Sequence, residues 1–382
     1  MQDSQFVMHH IGGRAGTRAF PSVPALEHEF VSVMYEASED GNEQIIHVGG
    51  ARGTGQTLLV NACVGRPGEA RTFNLNHDPY TSSLLELDPK FKDFYMNSVG
   101  FDYLMGEAIS PIRQELVKTE SLDEIISSQG LPACDFLSID TQGSELEILE
   151  SAETTLKNCV GIQLEVAFVQ RYLGQPQFGE IDKFLKSRGF EFIKFKKFGE
   201  WAPRVVGVEG RGEKMQVEAD ALYFKSASSI STQNFYPLVF TALAYGQTEF
   251  AINVASSFGL PQNTHPRADW VKFCDKFLSL CAQHQNERPT FGQKFSVEAS
   301  FARFKDTKPS DLNVTDFKSF LRKVFWRSPN ICRRLIQKVE VKLRRFVSRR
   351  RIKKLRPTKI EELFNEVGLV AVSETLKRSR IS

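Results

Sequence analysis

The strongest constraint on this chain's fold is the spacing of apolar runs over its first 227 residues. Short β-rich stretches recur at residues 6–11, 30–35, 57–64, 71–75, 136–139, 161–166, 190–194 and 219–224. Several are nearly continuously apolar, as a strand must be when helices cover both faces of its sheet. Helical patterns run between them. Residues 144–158 put Leu146, Ile148, Leu149, Ala152 and Leu156 on one stripe. Residues 178–188 repeat that spacing with Ile181, Phe184 and Leu185, and Gly189 follows as a stop. Strands alternating with helices predict an α/β fold with a mainly parallel, doubly wound sheet.

Beyond Lys225 the pattern changes. Residues 226–232, Ser-Ala-Ser-Ser-Ile-Ser-Thr, read as a linker. Helical periodicity then takes over at 235–258 and 270–283, followed by a loop over about 285–310 and two or three more helices. Charge divides the chain in the same way. Residues 1–227 hold 21 bases and 33 acids, whereas 321–356 hold 15 bases and only Glu340 as an acid. The expected organisation is a catalytic-type domain at 1–227, a helical region at 228–320 and a basic C-terminal segment at 321–382.

That last segment carries Ile331, Leu335, Ile336, Val339, Leu343, Phe346 and Val347 on one helical face, with arginines and lysines on the others. Three roles compete for residues 331–356: a helix docked on its own domain, a helix lying on anionic lipid, or a nucleic-acid contact. Nucleic acid is the least favoured, because no stacking platform accompanies the charge. No apolar run reaches the roughly 20 residues of a spanning helix, and Met1-Gln2-Asp3-Ser4 does not open a signal peptide. The six cysteines form no CxxC pair. These features predict a cytoplasmic protein, peripheral at the inner membrane face if the basic segment binds lipid.

Two constellations carry chemistry. In the first, strand 6–11 leads into Gly12-Gly13-Arg14-Ala15-Gly16, and the next strand ends at Glu36. Glycines let a backbone approach a ligand closely, and an acid about 20 residues on can accept both ribose hydroxyls of an adenosine cofactor. A bare tight turn and a surface acid would look the same. In the second, strand 136–139 ends at Asp140-Thr141-Gln142-Gly143-Ser144-Glu145. Asp140 and Glu145 would point into a cleft at the carboxyl ends of the strands, or would simply cap the turn and the helix.

The second block resembles the signature of the FkbM family of S-adenosylmethionine-dependent methyltransferases, Ile-Asp-Val-Glu-Gly-x-Glu at the start of a helix. Supporting similarity spans about 5–225, including Ala62-Cys63-Val64-Gly65 through Ala70, Ser82-Ser83-Leu84 and Ile162-Gln163-Leu164-Glu165. The resemblance implies a class I, Rossmann-like methyltransferase fold followed by a helical C-terminal region. It also implies S-adenosylmethionine as cofactor and O-methylation of a hydroxyl on a glycan precursor, the alternative being a non-catalytic module that binds a glycan or protein. The chain departs from the family at His10, where an acid is usual, and at Gln142, where glutamate is commoner.

For the cofactor the resemblance implies His10, Gly12, Gly13, Gly16, Glu36, Ala62, Cys63 and Asp140. Candidate bases are Asp140, Glu145 and Glu165, with His9 and His10 behind them. The same carboxylates could instead hold a divalent cation. The acceptor is expected between Ser82-Ser83 and a loop around Trp201. Residues 80–110 and 198–216 are expected to be irregular insertions, and the C-terminal helices to serve attachment.

Overall fold

The computed structural model describes residues 5–12, 14, 19–38, 55–68, 70–98, 101–204, 213–258, 268–286, 358–370 and 372. Gly13, Gly16, most of the expected 285–310 loop and the basic segment 331–356 lie outside them. Two compact units divide the chain, 1–274 and 275–382.

Thirteen strands are described: β1 (Phe6–Ile11), β2 (Phe30–Glu36), β3 (Gln56–Asn61), β4 (Cys63–Val64), β5 (Arg71–Asn76), β6 (Phe94–Ser98), β7 (Phe101–Leu104), β8 (Pro111–Val117), β9 (Thr119–Glu120), β10 (Phe136–Ile139), β11 (Gly161–Ala167), β12 (Phe190–Pro203) and β13 (Met215–Lys225). Nine form one sheet in the order β3-β2-β1-β10-β11-β13-β12-β6-β7. The run from β3 to β11 is parallel, and β13 is antiparallel to β11 and β12. The chain winds outward from β1 through β2 to β3, then returns to the other side of β1 at β10. That reversal places a topological switch point between β1 and β10, where such sheets open a crevice beyond the strand ends.

Strand alternation sorts the side chains. Val7, Ile11, Val33, Leu137, Ile139, Ile162 and Leu164 lie on one face, within one apolar core. Helix α1 (Met105–Ala108) lies outside this core, which is shared with α2 (Leu122–Ser128), α3 (Glu145–Glu150), α4 (Glu153–Asn158) and α5 (Phe178–Ser187). Met105 and Ala108 of α1 join Phe91, Ile109, Trp201 and Val217 in a second, smaller core. The expected single helix over 144–158 is therefore two, separated at Ser151–Ala152. Ser151 turns its hydroxyl onto the carbonyls of Gly65 and Ile148 at the break.

The opposite face is covered by α6 (Phe235–Ala244), every residue of which is buried. Phe240 sits 5.2 Å from Phe6 and 5.9 Å from Phe30, ring centre to ring centre. Tyr245 stacks on Phe136 at 5.6 Å. Gly246, at φ 74, ends α6 and starts the turn into α7 (Thr248–Phe258), so the apolar stretch 235–258 is a helix pair. The first unit thus runs past residue 227, and α6 is part of its core. Helix α8 (Asp269–Asn286) begins with the Asp269 and Trp270 amides donating to the Glu29 carboxylate at 2.7 and 2.8 Å. In the second unit, Phe364 of α9 (Thr358–Glu366) packs on Phe277 at 5.9 Å.

The expected insertions are more regular than their sequence suggests. Residues 94–104 form the β6–β7 hairpin, and β12 continues through 198–203 to pair with β6. Three register shifts in β12, at Phe192/Lys194, Phe195/Phe198 and Gly199/Glu200, break its alternation and disguise its length.

Candidate active site

The strand ends at the switch point converge on a glycine and two carboxylates. Gly12 has φ +86, and a Cβ there would lie 1.8 Å from the carbonyl oxygen of Asp140. Only glycine allows β1 and β10 to approach this closely. On β2, Glu36 is buried, and its Oε1 accepts from the Ser38 amide at 3.0 Å and the Ser38 hydroxyl at 2.8 Å. Its Oε2 carries no hydrogen bond among the described residues. Arg14 donates to the Ser38 hydroxyl at 3.2 Å, while its buried Nε has no partner. Ala62 donates its amide to the Glu36 carbonyl at 3.2 Å, so it lies beside that strand end. Cys63 follows in β4, half-buried, with its thiol pushed up to about 12 by burial.

Asp140 is exposed at the end of β10. Its Oδ1 accepts from Gln142 Nε2 at 2.9 Å. Although the residue as a whole is exposed, desolvation of its carboxyl among the neighbouring strand ends, and then the charge of Glu165, raise that carboxyl well above the usual carboxylate range. Glu165, on the neighbouring strand, pairs with Arg171 and accepts weakly from Gln142 at 3.3 Å. Arg171 is 1% exposed and reaches Glu218 at 2.6 Å as well. Burial opposes its charge, but Glu165 and Glu218 outweigh that and hold the guanidinium protonated. Burial, followed by Glu165, raises the Glu218 carboxyl to about 7.

Gln142 links the two halves of this cluster. It is the one non-glycine residue described with positive φ, at 57. Its amide nitrogen faces Asp140 and Glu165, and its Oε1 accepts from Arg171 at 3.2 Å and from the Tyr172 hydroxyl at 3.4 Å. A glutamate at this position would lose the donor and put another negative charge against two carboxylates. The departure from the family's glutamate therefore fits the surrounding groups.

Other expected site residues take different places. Glu145 is buried and spent on its own turn, accepting from the Thr141 and Gly143 amides at 3.0 Å each. It caps that turn, which leaves Asp140 as the accessible acid. His10 bonds Ser138 at 2.9 Å and lines a void of about 20 Å³, room for one water, on the α6 face. Burial lowers its pKa to about 4, so it puts no positive charge near the crevice at neutral pH. His9 is a core histidine, with Nε2 donating to the Pro132 carbonyl at 3.0 Å and Nδ1 accepting from the Tyr35 hydroxyl at 2.8 Å.

Ser83 is fully buried and donates to the Gln142 carbonyl at 2.7 Å. Ser82 accepts from the Asn76 amide at 3.2 Å. Ser83 thus fastens the 74–85 segment to the Asp140 turn, whereas half-buried Ser82 bonds within that segment. Trp201 is 6% exposed, in a strand, packed edge-on against Phe91 at 5.7 Å and lying 5.8 Å from the Arg171 guanidinium. It is core, and the expectation of a tryptophan loop stacking on an acceptor is corrected. The divalent-cation alternative at Asp140 and Glu165 finds no support: the positive charge among these acids is Arg171. Among the described residues the sole metal-type grouping is His28, Glu29 and Asp269, at the start of α8.

Sequence reasoning missed Arg171, which organises the cluster. Its signal was an isolated base in the loop after β11, six residues beyond Glu165.

Residues 49–192 match the methyltransferase FkbM domain family. Over that stretch the chain is similar to an FkbM methyltransferase domain. The match covers the Asp140 turn, Glu165 and Arg171, while Gly12 and Glu36 precede it in strands that continue the same sheet. No curated protein matches. Among solved structures, a TehB-like SAM-dependent methyltransferase from Corynebacterium glutamicum aligns at 8% identity and a TM-score of 0.25, over 58% of this chain and 80% of that one. No helix among the described residues is long and apolar enough to cross a membrane.

Proposed function

We propose that this FkbM-like domain transfers a methyl group from S-adenosylmethionine to a hydroxyl oxygen of a glycan precursor. The observation that carries the reading is Asp140: an accessible carboxylate of raised basicity, at the switch-point end of β10 and against the glycine turn of β1. The cofactor's fit is supported by Gly12, where no side chain has room, and by Glu36, whose second oxygen faces no described partner.

The cofactor, when bound, supplies an electrophilic methyl on a sulfonium whose thioether leaves without needing a proton. Glu36 would hold the ribose hydroxyls, and the Gly12 backbone would lie beneath the cofactor. Asp140 accepts the acceptor's hydroxyl proton on Oδ2 as the oxygen attacks, while Gln142 fixes Oδ1. Arg171 engages Glu165 in an ion pair, so that Asp140 is the acid left free to take the proton. A rim of carboxylates and an amide suits a polyhydroxylated acceptor, because each group accepts or donates to hydroxyls. The basic segment 331–356 would hold the enzyme at an anionic membrane surface, where lipid-linked glycans are built.

A second reading, a non-catalytic module, draws on His10, where a neutral imidazole stands in place of the family's acid. Transfer of radiolabelled methyl from S-adenosylmethionine into a panel of sugar nucleotides and lipid-linked glycans separates the two. Asp140→Asn is expected to lower transfer about 100-fold or more while leaving S-adenosylhomocysteine affinity within about twofold. Cofactor binding by the wild type with no transfer to any acceptor would favour the module; an Asp140→Asn variant at wild-type rate would remove the base.

A further inference from the structure

Helix α6 and Tyr245 at its end cover one face of the nine-stranded sheet over Phe136 of β10, Gly161 of β11 and Phe224 of β13, which are partners in neighbouring strands. Four residues nearer the crevice, the same face carries a row of acids. Glu165 and Asp220 are direct partners in the antiparallel β11–β13 ladder. One residue past the Ile139–Leu164 pair, Asp140 stands beside Glu165. The row therefore runs Asp140, Glu165, Asp220 across three adjacent strands.

The three acids are held differently. Glu165, in the middle, is taken by Arg171. Asp140 receives Gln142 on Oδ1. Asp220 is half-buried, its Oδ2 accepts from Gln163 Nε2 at 3.4 Å, and its Oδ1 carries no hydrogen bond among the described residues. An acid that served only the fold would be consumed as Glu145 is, by amides of its own turn. The glutamine behind Asp220 is not free to turn away. Gln163 is 7% exposed, and its Oε1 accepts from Lys196 Nζ and from the Tyr245 hydroxyl, each at 3.1 Å. Two donors on the oxygen leave the amide nitrogen facing Asp220. Lys196 in turn lies 4.7 Å from the centre of the Tyr245 ring. A buried glutamine, a lysine and a tyrosine thus form one connected network on the sheet floor, and it ends on the Asp220 carboxylate. Burial, then Glu165, raises that carboxyl, and Lys197 and Lys196 act the other way.

We infer that Asp220 is an acceptor-binding residue: it takes a hydrogen bond from a second hydroxyl of the molecule whose first hydroxyl faces Asp140. The inference rests on the reading of Asp140 as the base. It also sets which pair of hydroxyls the site accepts. Two strand spacings separate β10 from β13, about 10 Å. With a hydrogen bond of about 2.7 Å at each end, the remaining gap suits hydroxyls on separated carbons of one sugar ring and is too wide for a vicinal pair.

The test uses the full chain saturated with S-adenosylhomocysteine and three probes, the methyl α-glycosides of glucose, galactose and mannose, titrated by saturation-transfer NMR. The wild type is expected to bind at least one of them. Asp220→Asn, which keeps the shape, and Asp220→Ala should each weaken that binding about tenfold, as loss of a charge-assisted hydrogen bond would. Affinity for S-adenosylhomocysteine should stay within about twofold, and circular dichroism checks that the fold is kept. Deoxy analogues of the bound glycoside then identify the hydroxyl. Loss of one particular hydroxyl should cost the wild type about tenfold and Asp220→Asn nothing further, the signature of a direct pair. Equal glycoside affinity in the wild type and both variants would overturn the inference, as would a deoxy series that costs the wild type and Asp220→Asn alike. Either result leaves Asp140 as the base, which the transfer rate of Asp140→Asn tests separately. A wild type that binds S-adenosylhomocysteine but none of the three glycosides would overturn this inference together with the glycan reading.

Discussion

A chain ending after Ser228 is expected to aggregate when expressed. Such a truncation removes α6, whose ten residues are all buried. It uncovers Phe6, Phe20, Phe30, Phe136 and Phe224, which are at most 3% exposed in the full chain. Burying one such side chain contributes about 1.5–3 kcal/mol. Losing cover from five of them would remove most or all of the 5–15 kcal/mol by which a domain is typically stable. The single substitution Phe240→Ala should cost about 3–5 kcal/mol in urea unfolding, because the void it leaves is walled by rigid aromatic rings. A soluble, cooperatively unfolding 1–228 fragment would show that α6 is dispensable and that the domain closes at residue 227.

Arg171→Leu is the second large effect. The substitution leaves Glu165 and Glu218 without their shared guanidinium, with Asp140 and Asp220 nearby and Lys197 as the cation still acting on Glu218. Removing one partner of a buried ion pair typically costs about 3–5 kcal/mol, because the remaining charge stays buried and uncompensated. The loss should depend on pH in a direction that can be worked out. Without the guanidinium the acids bind protons more tightly in the folded chain than in the unfolded one, so the folded state gains protons as pH falls. The variant is therefore expected to be least stable near pH 8 and to recover toward pH 5.5, relative to the wild type at each pH. A loss below about 1 kcal/mol at pH 8, or a loss that grows on acidification, would mean that the cluster is not the charged network described.

Much of the fold could be read from the sequence because the parallel strands are buried on both faces. Residues 6–11, 30–36, 136–139 and 161–167 announce themselves as short apolar runs, and the structure differs from their expected bounds by a residue at most. The strands that escaped notice are those without that burial. β8 is exposed along most of its length, and the part of β12 beyond the expected 190–194 hides its alternation behind three register shifts. Helix α6 was legible as a helix but misread in role. Its sequence, Phe-Tyr-Pro-Leu-Val-Phe-Thr-Ala-Leu-Ala, is apolar on every side, which is the mark of a helix enclosed by protein and not of one serving attachment. The Asp140 turn was visible as a motif, yet its sequence could not separate Asp140 from Glu145. Both are acids near a helix start, and only the hydrogen bonds show that Glu145 is consumed by its own turn. Arg171 left almost no trace, because a lone arginine in a loop acquires meaning only when the fold brings Glu165, Glu218 and Gln142 around it.

Isothermal titration of the full chain with S-adenosylhomocysteine is the most direct test of the central claim, that the switch-point crevice over Gly12 and Glu36 holds the cofactor of the FkbM-like domain. The account predicts micromolar binding to the wild type. For Glu36→Ala it predicts at least about tenfold weaker binding, the loss expected when charge-assisted bonds to the ribose are removed. Absence of binding to the wild type, or equal affinity in the two proteins, would contradict it.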